Sequence, residues 1–191
     1  MDSLSTMIDV PTLDTPRLTL RAWHDDDRLV FAAMNADPHV MEHFPRPLTL
    51  EESNAFVDRI IEHWRRGFGL WAVERRDSGT FIGFVGFSQP AWSASFTPCV
   101  EIGWRLTSSA WGQGLATEGA TAALAWARDH VDFPRGEVVS FTTVANARSR
   151  RVMEKLGMTH DESADFDHPL LPEWPQRRHV LYRMAIRPNA R

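Results

Sequence analysis

The sequence predicts an α/β (α+β) fold in which a mixed, mostly antiparallel sheet is flanked by helices. Two short apolar runs within Phe68–Pro90 are joined by the turn-forming letters RDSG, which is the pattern of a β-hairpin. A third apolar run, CVEIGWRL, follows without an intervening helical pattern. Segments with helical spacing then separate the later strands, as in folds that cover a sheet with helices. The 191 residues are predicted to form one domain over residues 1–191, with a loose lead-in over residues 1–14.

The N-terminal part of this pattern holds one strand and two helices. Arg17–Trp23 alternates apolar and polar side chains, which predicts a strand. His24–Asp37 places apolar side chains at helical spacing after an acidic start, and negative charge suits a helix N-terminus. A second helix is predicted within Thr49–Gly67, because Thr49 and Glu52 form a capping-box pattern and the final glycine can end the helix.

The C-terminal half alternates strands with helices. Strands are predicted over Cys99–Leu106, Glu137–Val144 and Arg177–Ile186. Helices are predicted over Leu115–His130 and Asn146–Gly157. No internal repeat or low-complexity tract interrupts this order.

Composition and charge argue against several classes of protein. The net charge of -4 and the pI of about 6.0 disfavour a nucleic-acid-binding protein, since such proteins usually carry a basic face. No run approaches the ~18–20 apolar residues of a membrane helix, and the first residues lack a signal-peptide pattern. The single cysteine, Cys99, cannot form an internal disulfide. We therefore expect a cytoplasmic monomer or homodimer with no nucleic-acid or membrane partner.

Two weak patterns of metal-ligating residues occur in the chain. His39 and His43 have the i,i+4 spacing of one helix face, but no third ligand is evident. The letters DFDHP, Asp165–Pro169, place two carboxylates beside a histidine. Neither pattern is specific, and we expect no metal site.

The predicted helix over Leu115–His130 begins on two glycines, Gly112 and Gly114. Backbone amides at a helix N-terminus lack partners within the helix and carry partial positive charge, so they bind phosphate where glycine permits close approach. The amides of residues 113–117 are therefore candidates to hold a pyrophosphate. A helix that simply starts after a glycine turn is the alternative. The pattern is neither a Walker loop nor a dinucleotide-binding GxGxxG motif.

Two segments together resemble one family. WGQGLATEG resembles the acyl-CoA loop of the GNAT N-acetyltransferase superfamily, Arg/Gln-x-x-Gly-x-Gly/Ala, with Gly114 and Ala116 at its last two fixed positions. Trp111 departs from the first position, but WGxGxAxE is common in the branch that resembles ribosomal-protein N-terminal (RimJ/RimL-like) acetyltransferases. NARSRRVMEKLGM is similar to a later segment of that branch, and TPRLTLRAW and HVLYRM resemble its first and last strands. The resemblance covers Thr15 to Ile186.

This resemblance implies a twisted sheet that splays apart between its fourth and fifth strands, Cys99–Leu106 and Glu137–Val144. It implies that acetyl-CoA is the co-substrate and that an acetyl group passes to a primary amine, either a protein N-terminus or a small molecule. A non-catalytic acyl-CoA-binding or sensing domain is the alternative. The residues then expected to bind the cofactor are Trp104, Arg105, Leu106, Trp111, Gly112, Gln113, Gly114, Leu115, Ala116, Thr117, Asn146 and Ser149.

Glu101 is the candidate general base. It lies in an otherwise apolar strand, where burying an unpaired carboxylate would cost several kcal/mol unless it faces a wet cleft. Low-polarity surroundings would raise its pKa to a value useful for accepting a proton. The alternative is an ion pair with Arg105, four residues along the same face of the strand.

The resemblance also implies candidates for the proton donor and for contacts with the pantetheine arm. Met153 occupies the position where many family members carry a tyrosine donor, so Ser149 is the candidate instead, with an ordinary helix-surface serine as the alternative. Asn146 is expected to cap its helix and to bind the pantetheine arm. Tyr182 is expected in the core. Cys99 is expected to be a buried strand cysteine, because it lacks the electropositive setting of a reactive thiol.

Tryptophans in loops often mark contact surfaces because their rings are large and amphipathic. Trp92 and Trp174 lie in predicted loops. Together with Phe44 and Met41, they are candidates to line the acceptor site or to support a dimer.

Overall fold

The computed structural model describes residues 8–186 of the chain. Within this range, four α-helices flank a sheet of nine strands. The helices are α1 Asp27–Ala36, α2 Leu50–His63, α3 Leu115–His130 and α4 Ala147–Lys155. The strands are β1 Leu13–Asp14, β2 Leu18–Arg21, β3 Leu70–Arg75, β4 Phe81–Ser88, β5 Val100–Leu106, β6 Glu137–Thr143, β7 Thr159–His160, β8 Phe166–Asp167 and β9 Arg178–Ala185.

The sheet runs in the spatial order β1-β2-β3-β4-β5-β6-β9-β7, and β8 also pairs with β9. Neighbouring strands are antiparallel throughout, apart from β5 and β6, which are parallel. The predicted mixed, mostly antiparallel sheet is therefore confirmed.

Two hydrophobic clusters cover opposite faces of the sheet. The larger cluster packs α3 against β2 to β6, and it takes Val100, Ile102 and Leu106 from β5. The smaller cluster packs α1 and α2 against β3 and β4. Because side chains alternate along a strand, Glu101 and Arg105 of β5 belong to the α1–α2 side.

Helix α3 approaches the sheet closely because its inner face consists of small residues. Ala120, Ala123 and Ala127 are fully buried. A β-carbon added at Gly119 would lie 3.3 Å from the side chain of Val85 on β4. The alanine-rich composition of this helix therefore reflects close packing on the sheet.

Several predicted elements are confirmed. Helix α3 has the predicted bounds Leu115–His130. The capping box of α2 is present, because the Thr49 hydroxyl accepts from the Glu52 amide while the Glu52 carboxylate accepts from the Thr49 amide. The hairpin β3–β4 turns through residues 76–79, as predicted.

Some predicted bounds differ from the structure. Strand β2 is shorter than the predicted Arg17–Trp23, and the strands β1, β7 and β8, of two residues each, were not predicted. Leu13–Asp14, part of the expected loose lead-in, pairs with β2, and Pro11 accepts a hydrogen bond from the ring of Trp71 at 2.7 Å. Residues 1–7 of the lead-in lie outside the described residues.

Candidate active site

A cleft of about 620 Å³ opens where β5 and β6 part. The two strands pair at Val100 with Val138 and at Glu101 with Val139, and from Ile102 onward they are no longer paired. The splay predicted between these strands is thus confirmed. All of the predicted site residues except Gln113 line the cleft: Glu101, Trp104, Arg105, Leu106, Trp111, Gly112, Gly114, Leu115, Ala116, Thr117, Asn146 and Ser149. Their functional roles remain predictions.

The start of α3 forms one wall of this cleft. Gly112 and Gly114 have φ angles of 74° and 77°, in the left-handed region where a side chain is strained. The amides of Leu115, Ala116 and Thr117 donate no hydrogen bond within residues 8–186, as expected for the first turn of a helix. An atom added at the β-carbon position of Gly112 would meet nothing within 4 Å. The three residues with unpaired amides also line the cleft, which fits the diphosphate of a coenzyme A.

Trp111 shows why tryptophan suits the first position of this loop. Its ring nitrogen donates to the Leu106 carbonyl at 2.9 Å, which ties the loop to the end of β5. The Arg148 guanidinium lies 4.4 Å from the centre of the same ring and also binds Glu42 at 2.8 Å. Arg148 belongs to α4, next to β6, so these contacts bridge the two sides of the cleft.

An interaction behind the loop was not predicted from the sequence. Arg17, just before β2, donates to the Gln113 carbonyl at 2.9 Å and binds the Glu118 carboxylate at 2.5 Å. Glu118 also accepts from the Thr15 hydroxyl at 2.7 Å. Burial raises the pKa of Glu118, but these hydrogen bonds outweigh it and lower that pKa overall. Residues 15–17 thus hold the loop in place. The sequence signal for this contact was the presence of both TPR and the glutamate of WGxGxAxE.

Gln113 is the predicted site residue whose side chain does not line the cleft. Its amide group donates to the Ser109 carbonyl at 2.9 Å and accepts from Arg75 at 3.0 Å. Both contacts lie on the side of the loop away from the cleft. A role for Gln113 in binding the cofactor therefore rests on its backbone amide alone.

Glu101 lies at the inner end of the cleft, where β5 and β6 still pair. It is partly buried, and Ser88, directly opposite on β4, donates to its carboxylate at 3.1 Å. Burial raises the pKa of Glu101 to about 7, although the Ser88 hydrogen bond acts in the opposite direction. Glu101 and Arg105, both among the described residues, do not form the alternative ion pair, since Ser88 binds Glu101 and Arg105 binds Asn35. Ser88 was not predicted, because its register opposite Glu101 depends on the sheet.

Asn146 and Ser149 lie on the opposite side of the cleft, at the start of α4. The Asn146 side-chain oxygen accepts from the Ser149 amide at 3.1 Å, so the predicted N-cap is confirmed. The Asn146 side-chain nitrogen donates to Thr142 at 2.9 Å. The Ser149 hydroxyl has no hydrogen-bond partner in the part of the chain that the structure describes, and it lines the cleft.

Two residues considered in the sequence analysis lie apart from this chemistry. Tyr182 is 2% exposed and contacts Arg150 and Glu154, so it is a core residue as predicted. Cys99 is buried, and burial, followed by the nearby Glu101 charge, raises the pKa of its thiol to about 11. A thiol with such a pKa stays protonated near neutral pH and is a poor nucleophile.

Of the four large apolar residues considered for the acceptor site, two line the cleft and two do not. Trp174 and Phe44 line the cleft, together with His168 and His179. Met41 is buried and does not line it. Trp92 instead packs against Phe96, Phe141 and Phe166 in a separate cluster.

Both carboxylates of the DFDHP pattern have partners within the protein. Asp165 binds His160 at 2.8 Å, and Asp167 binds Arg177 at 3.0 Å. Residues 8–186 contain no group of three or more side chains placed to hold a metal ion. In the same range, each helix is too short or too polar to cross a membrane.

The known proteins that this chain resembles include several acetyltransferases. A family model described as an acetyltransferase (GNAT) domain matches residues 17–159. The curated FsC-acetyl coenzyme A-N(2)-transacetylase of Aspergillus fumigatus is 32% identical over 161 residues, which are 80% of this chain and 67% of that protein. The structure of an acetyltransferase from Agrobacterium tumefaciens is 27% identical, with a TM-score of 0.73 over 92% of this chain and 95% of that one.

A third similar protein is an acetyl transferase from Salmonella typhimurium that modifies the N-terminal serine of a 50S ribosomal subunit protein. It has a TM-score of 0.74 over 93% of this chain and 100% of that one, and at 16% identity this likeness shows a shared fold. The family match over most of the chain confirms the resemblance found in the sequence. This chain therefore belongs to the GNAT acetyltransferase family and is an acetyltransferase.

Proposed function

We propose that this protein transfers the acetyl group of acetyl-CoA to the nitrogen of a primary amine by direct attack. One observation carries the proposal: unpaired amides at the start of α3 and a carboxylate with a pKa of about 7 lie along the same cleft. The first group suits a diphosphate and the second suits an amine that must lose a proton. The name of the Aspergillus relative, with acetyl coenzyme A as donor and nitrogen as acceptor, supports the same reaction.

The residues present fit coenzyme A. The amides of Leu115, Ala116 and Thr117 would hold the diphosphate, and the edge of β5 from Trp104 to Leu106 would bind the pantetheine arm opposite Asn146. When bound, acetyl-CoA supplies a thioester carbonyl activated toward amines. Arg148, Arg151 and Lys155 give the α4 side of the cleft the positive charge that phosphates require.

Glu101 accepts the proton of the incoming ammonium group. Because its pKa is about 7, roughly half of the molecules carry it as a carboxylate at neutral pH, and each has enough basicity to act as a general base. Ser88 holds the carboxylate in place through its hydroxyl. A neutral carboxyl or an amide at this position could not take the proton.

Backbone amides on the open edge of β5 polarise the carbonyl under attack. A donor of this kind contributes roughly 3 kcal/mol to the transition state of acyl transfer. Ser149 is placed to donate a proton to the leaving sulfur, directly or through water. A thiol has a pKa near that of cysteine, about 8.5, so it leaves readily and this donation accelerates the reaction without being essential.

The proposal includes a cytoplasmic location, where the single cysteine would stay a thiol. The acceptor in this reaction is a protein N-terminal amine or a small amine. Whether the protein acts alone or as a homodimer does not alter these roles.

Isothermal titration with coenzyme A and acetyl-CoA, followed by assay of thiol release across peptides, polyamines and amino acids, tests the proposal. We expect binding of both cofactors and amine-dependent thiol release. Binding without release on any amine would favour the alternative of a non-catalytic acyl-CoA-binding domain. A failure to bind either cofactor would refute both functions.

A further inference from the structure

Arg105 is a partly buried cation that the reaction described above does not use. Its guanidinium lies 4.1 Å from the centre of the Phe44 ring and 5.6 Å from the centres of both the Phe56 and Phe84 rings. One guanidinium nitrogen donates to the Asn35 side-chain oxygen at 2.6 Å. These contacts hold the side chain in one place, below α1 and α2.

The charge of Arg105 has no counter-ion within residues 8–186. Its neighbours are aromatic rings and a neutral amide, and its Nε atom is buried without a hydrogen-bond partner. Burial lowers the pKa of Arg105 to about 10, so the side chain is still charged at neutral pH. A charge largely withdrawn from water without a counter-ion is costly, and a protein that keeps one gains from an anion that pairs with it.

An unobstructed path joins this cation to the general base. Glu101, Gly103 and Arg105 share one face of β5, and all three line the cleft. Glu101 and Arg105 are about 13 Å apart along the strand, at 3.3 Å per residue. Between them, a β-carbon at Gly103 would meet nothing within 4 Å, so a small molecule can lie across this glycine.

The position of Arg105 separates it from the cations expected to meet the cofactor. Arg148, Arg151 and Lys155 lie on α4, on the β6 side of the cleft. Arg105 lies on the β5 side, among aromatic rings of α2 and β4. A phosphate at the start of α3 would be bound by backbone amides, so it does not require Arg105.

We propose that the acceptor amine carries a carboxylate and that Arg105 binds this carboxylate while the amine lies at Glu101. The proposal rests on the N-acetyltransferase function above and adds the chemical class of its acceptor. Arginine is suited to this task because its planar guanidinium presents paired donors to a carboxylate. The aromatic rings around it exclude water and strengthen the interaction.

A set of ω-amino acids tests the proposal, because its members differ in the spacing between amine and carboxylate. The probes are glycine, β-alanine, γ-aminobutyrate and ε-aminocaproate, each compared with its primary amide. Binding to the coenzyme A-saturated protein is measured by calorimetry, and kcat/KM is measured with acetyl-CoA. We expect at least one carboxylate to bind, and to be acetylated, tenfold or more better than its amide.

The Arg105→Met variant removes the charge with little change in side-chain volume, and Arg105→Lys retains it. We expect Arg105→Met to bring the carboxylate-to-amide ratio close to one and Arg105→Lys to keep part of the preference. Because Arg105→Met also leaves the buried Asn35 oxygen without its donor, the melting temperature of the variant is measured to show that it remains folded. Gly103→Ala, which meets no neighbouring atom, should weaken binding of the preferred carboxylate while the protein remains folded.

Equal binding of carboxylates and amides by the wild-type protein would overturn the proposal even if amines are acetylated. An Arg105→Met variant that loses affinity for coenzyme A but keeps the carboxylate preference would place Arg105 at a cofactor phosphate and also overturn it. Failure of the proposed function gives a different result, namely no binding of coenzyme A by the wild-type protein. In that case, the binding of each carboxylate is compared with that of its amide in the absence of cofactor. This comparison still tests whether Arg105 binds a carboxylate.

Discussion

Replacing Glu101 with glutamine should stabilise the protein at alkaline pH while slowing acetyl transfer. The carboxylate is partly buried with one hydrogen bond, from Ser88, so its charged form is disfavoured in the folded state. Glutamine has a similar shape and carries no charge at any pH. The two consequences have opposite signs, which makes the variant informative.

The size of the stability effect follows from the pKa. Burial raises the pKa of Glu101 from its ordinary value of 4.5 to about 7. The folded protein therefore binds the proton more tightly than the unfolded chain, and stability is full below pH 4.5 and is lost as the pH rises through 7. At about 1.4 kcal/mol per pKa unit, the loss is at most about 3 kcal/mol, and most of it falls between pH 5 and pH 8.

Urea unfolding at pH 5 and pH 8 measures this difference for wild type and Glu101→Gln. We expect the wild type to lose about 2–3 kcal/mol relative to the variant between the two pH values. The control is Glu62→Gln, which removes a carboxylate that is 67% exposed. Identical pH dependence of unfolding in wild type and Glu101→Gln would show that the folded protein does not perturb this carboxyl, and the reasoning would fail.

The same variant tests the catalytic role. In wild type, kcat/KM should fall about tenfold per pH unit below pH 7, because protonation removes the base. In Glu101→Gln, this acidic limb should disappear and the rate at pH 8 should fall by about 10²–10⁴-fold, the usual contribution of a general base. A rate near that of wild type would assign the base to another residue.

Three further changes test the neighbouring parts of the site. Ser88→Ala removes the hydrogen bond that lowers the pKa of Glu101, so the acidic limb of the rate profile should move to higher pH; a shift to lower pH would contradict this geometry. Gly114→Val should weaken coenzyme A binding more than tenfold, measured by calorimetry, because a β-branched side chain at a φ of 77° strains the loop that presents the unpaired amides, and its β-carbon would lie 3.7 Å from Arg17. Gly67→Val, at another left-handed glycine with open space around it, carries similar backbone strain and should leave that affinity unchanged if the site is as described. Glu118→Gln removes the charge that fixes the loop, so KM for acetyl-CoA should rise several-fold and stability should fall by about 1–2 kcal/mol, whereas a change confined to kcat would argue against a positioning role.

The sequence determined the parts of the fold that depend on local chemistry. Helix α3 has its predicted bounds because its glycine start and its alanine-rich face are local signals. The capping box of α2 and the RDSG turn were predicted for the same reason. The strands β1, β7 and β8 escaped prediction because two residues carry no periodicity, and their pairing depends on distant partners.

The residues of the candidate site also divide into those that the sequence predicted and those that only the structure revealed. The phosphate-binding loop was found from its glycines, and Glu101 was found because a carboxylate in an apolar strand requires an explanation. The roles of Ser88 and Glu118 depend on cross-strand register and on a contact over 101 residues of chain. The sequence left undecided whether Glu101 forms an ion pair with Arg105.

The sequence by itself determined the family, the phosphate-binding loop and the candidate general base, because each is recognised from residues that lie close together along the chain. The tertiary structure decided that Arg105 turns away from Glu101, toward three aromatic rings and the Asn35 amide. It also decided that Gly103 leaves open space between the two charged side chains. The physical reason is that a side chain's charge environment is set by residues brought close through folding, and residues 35, 44, 56 and 84 lie far from 105 along the chain.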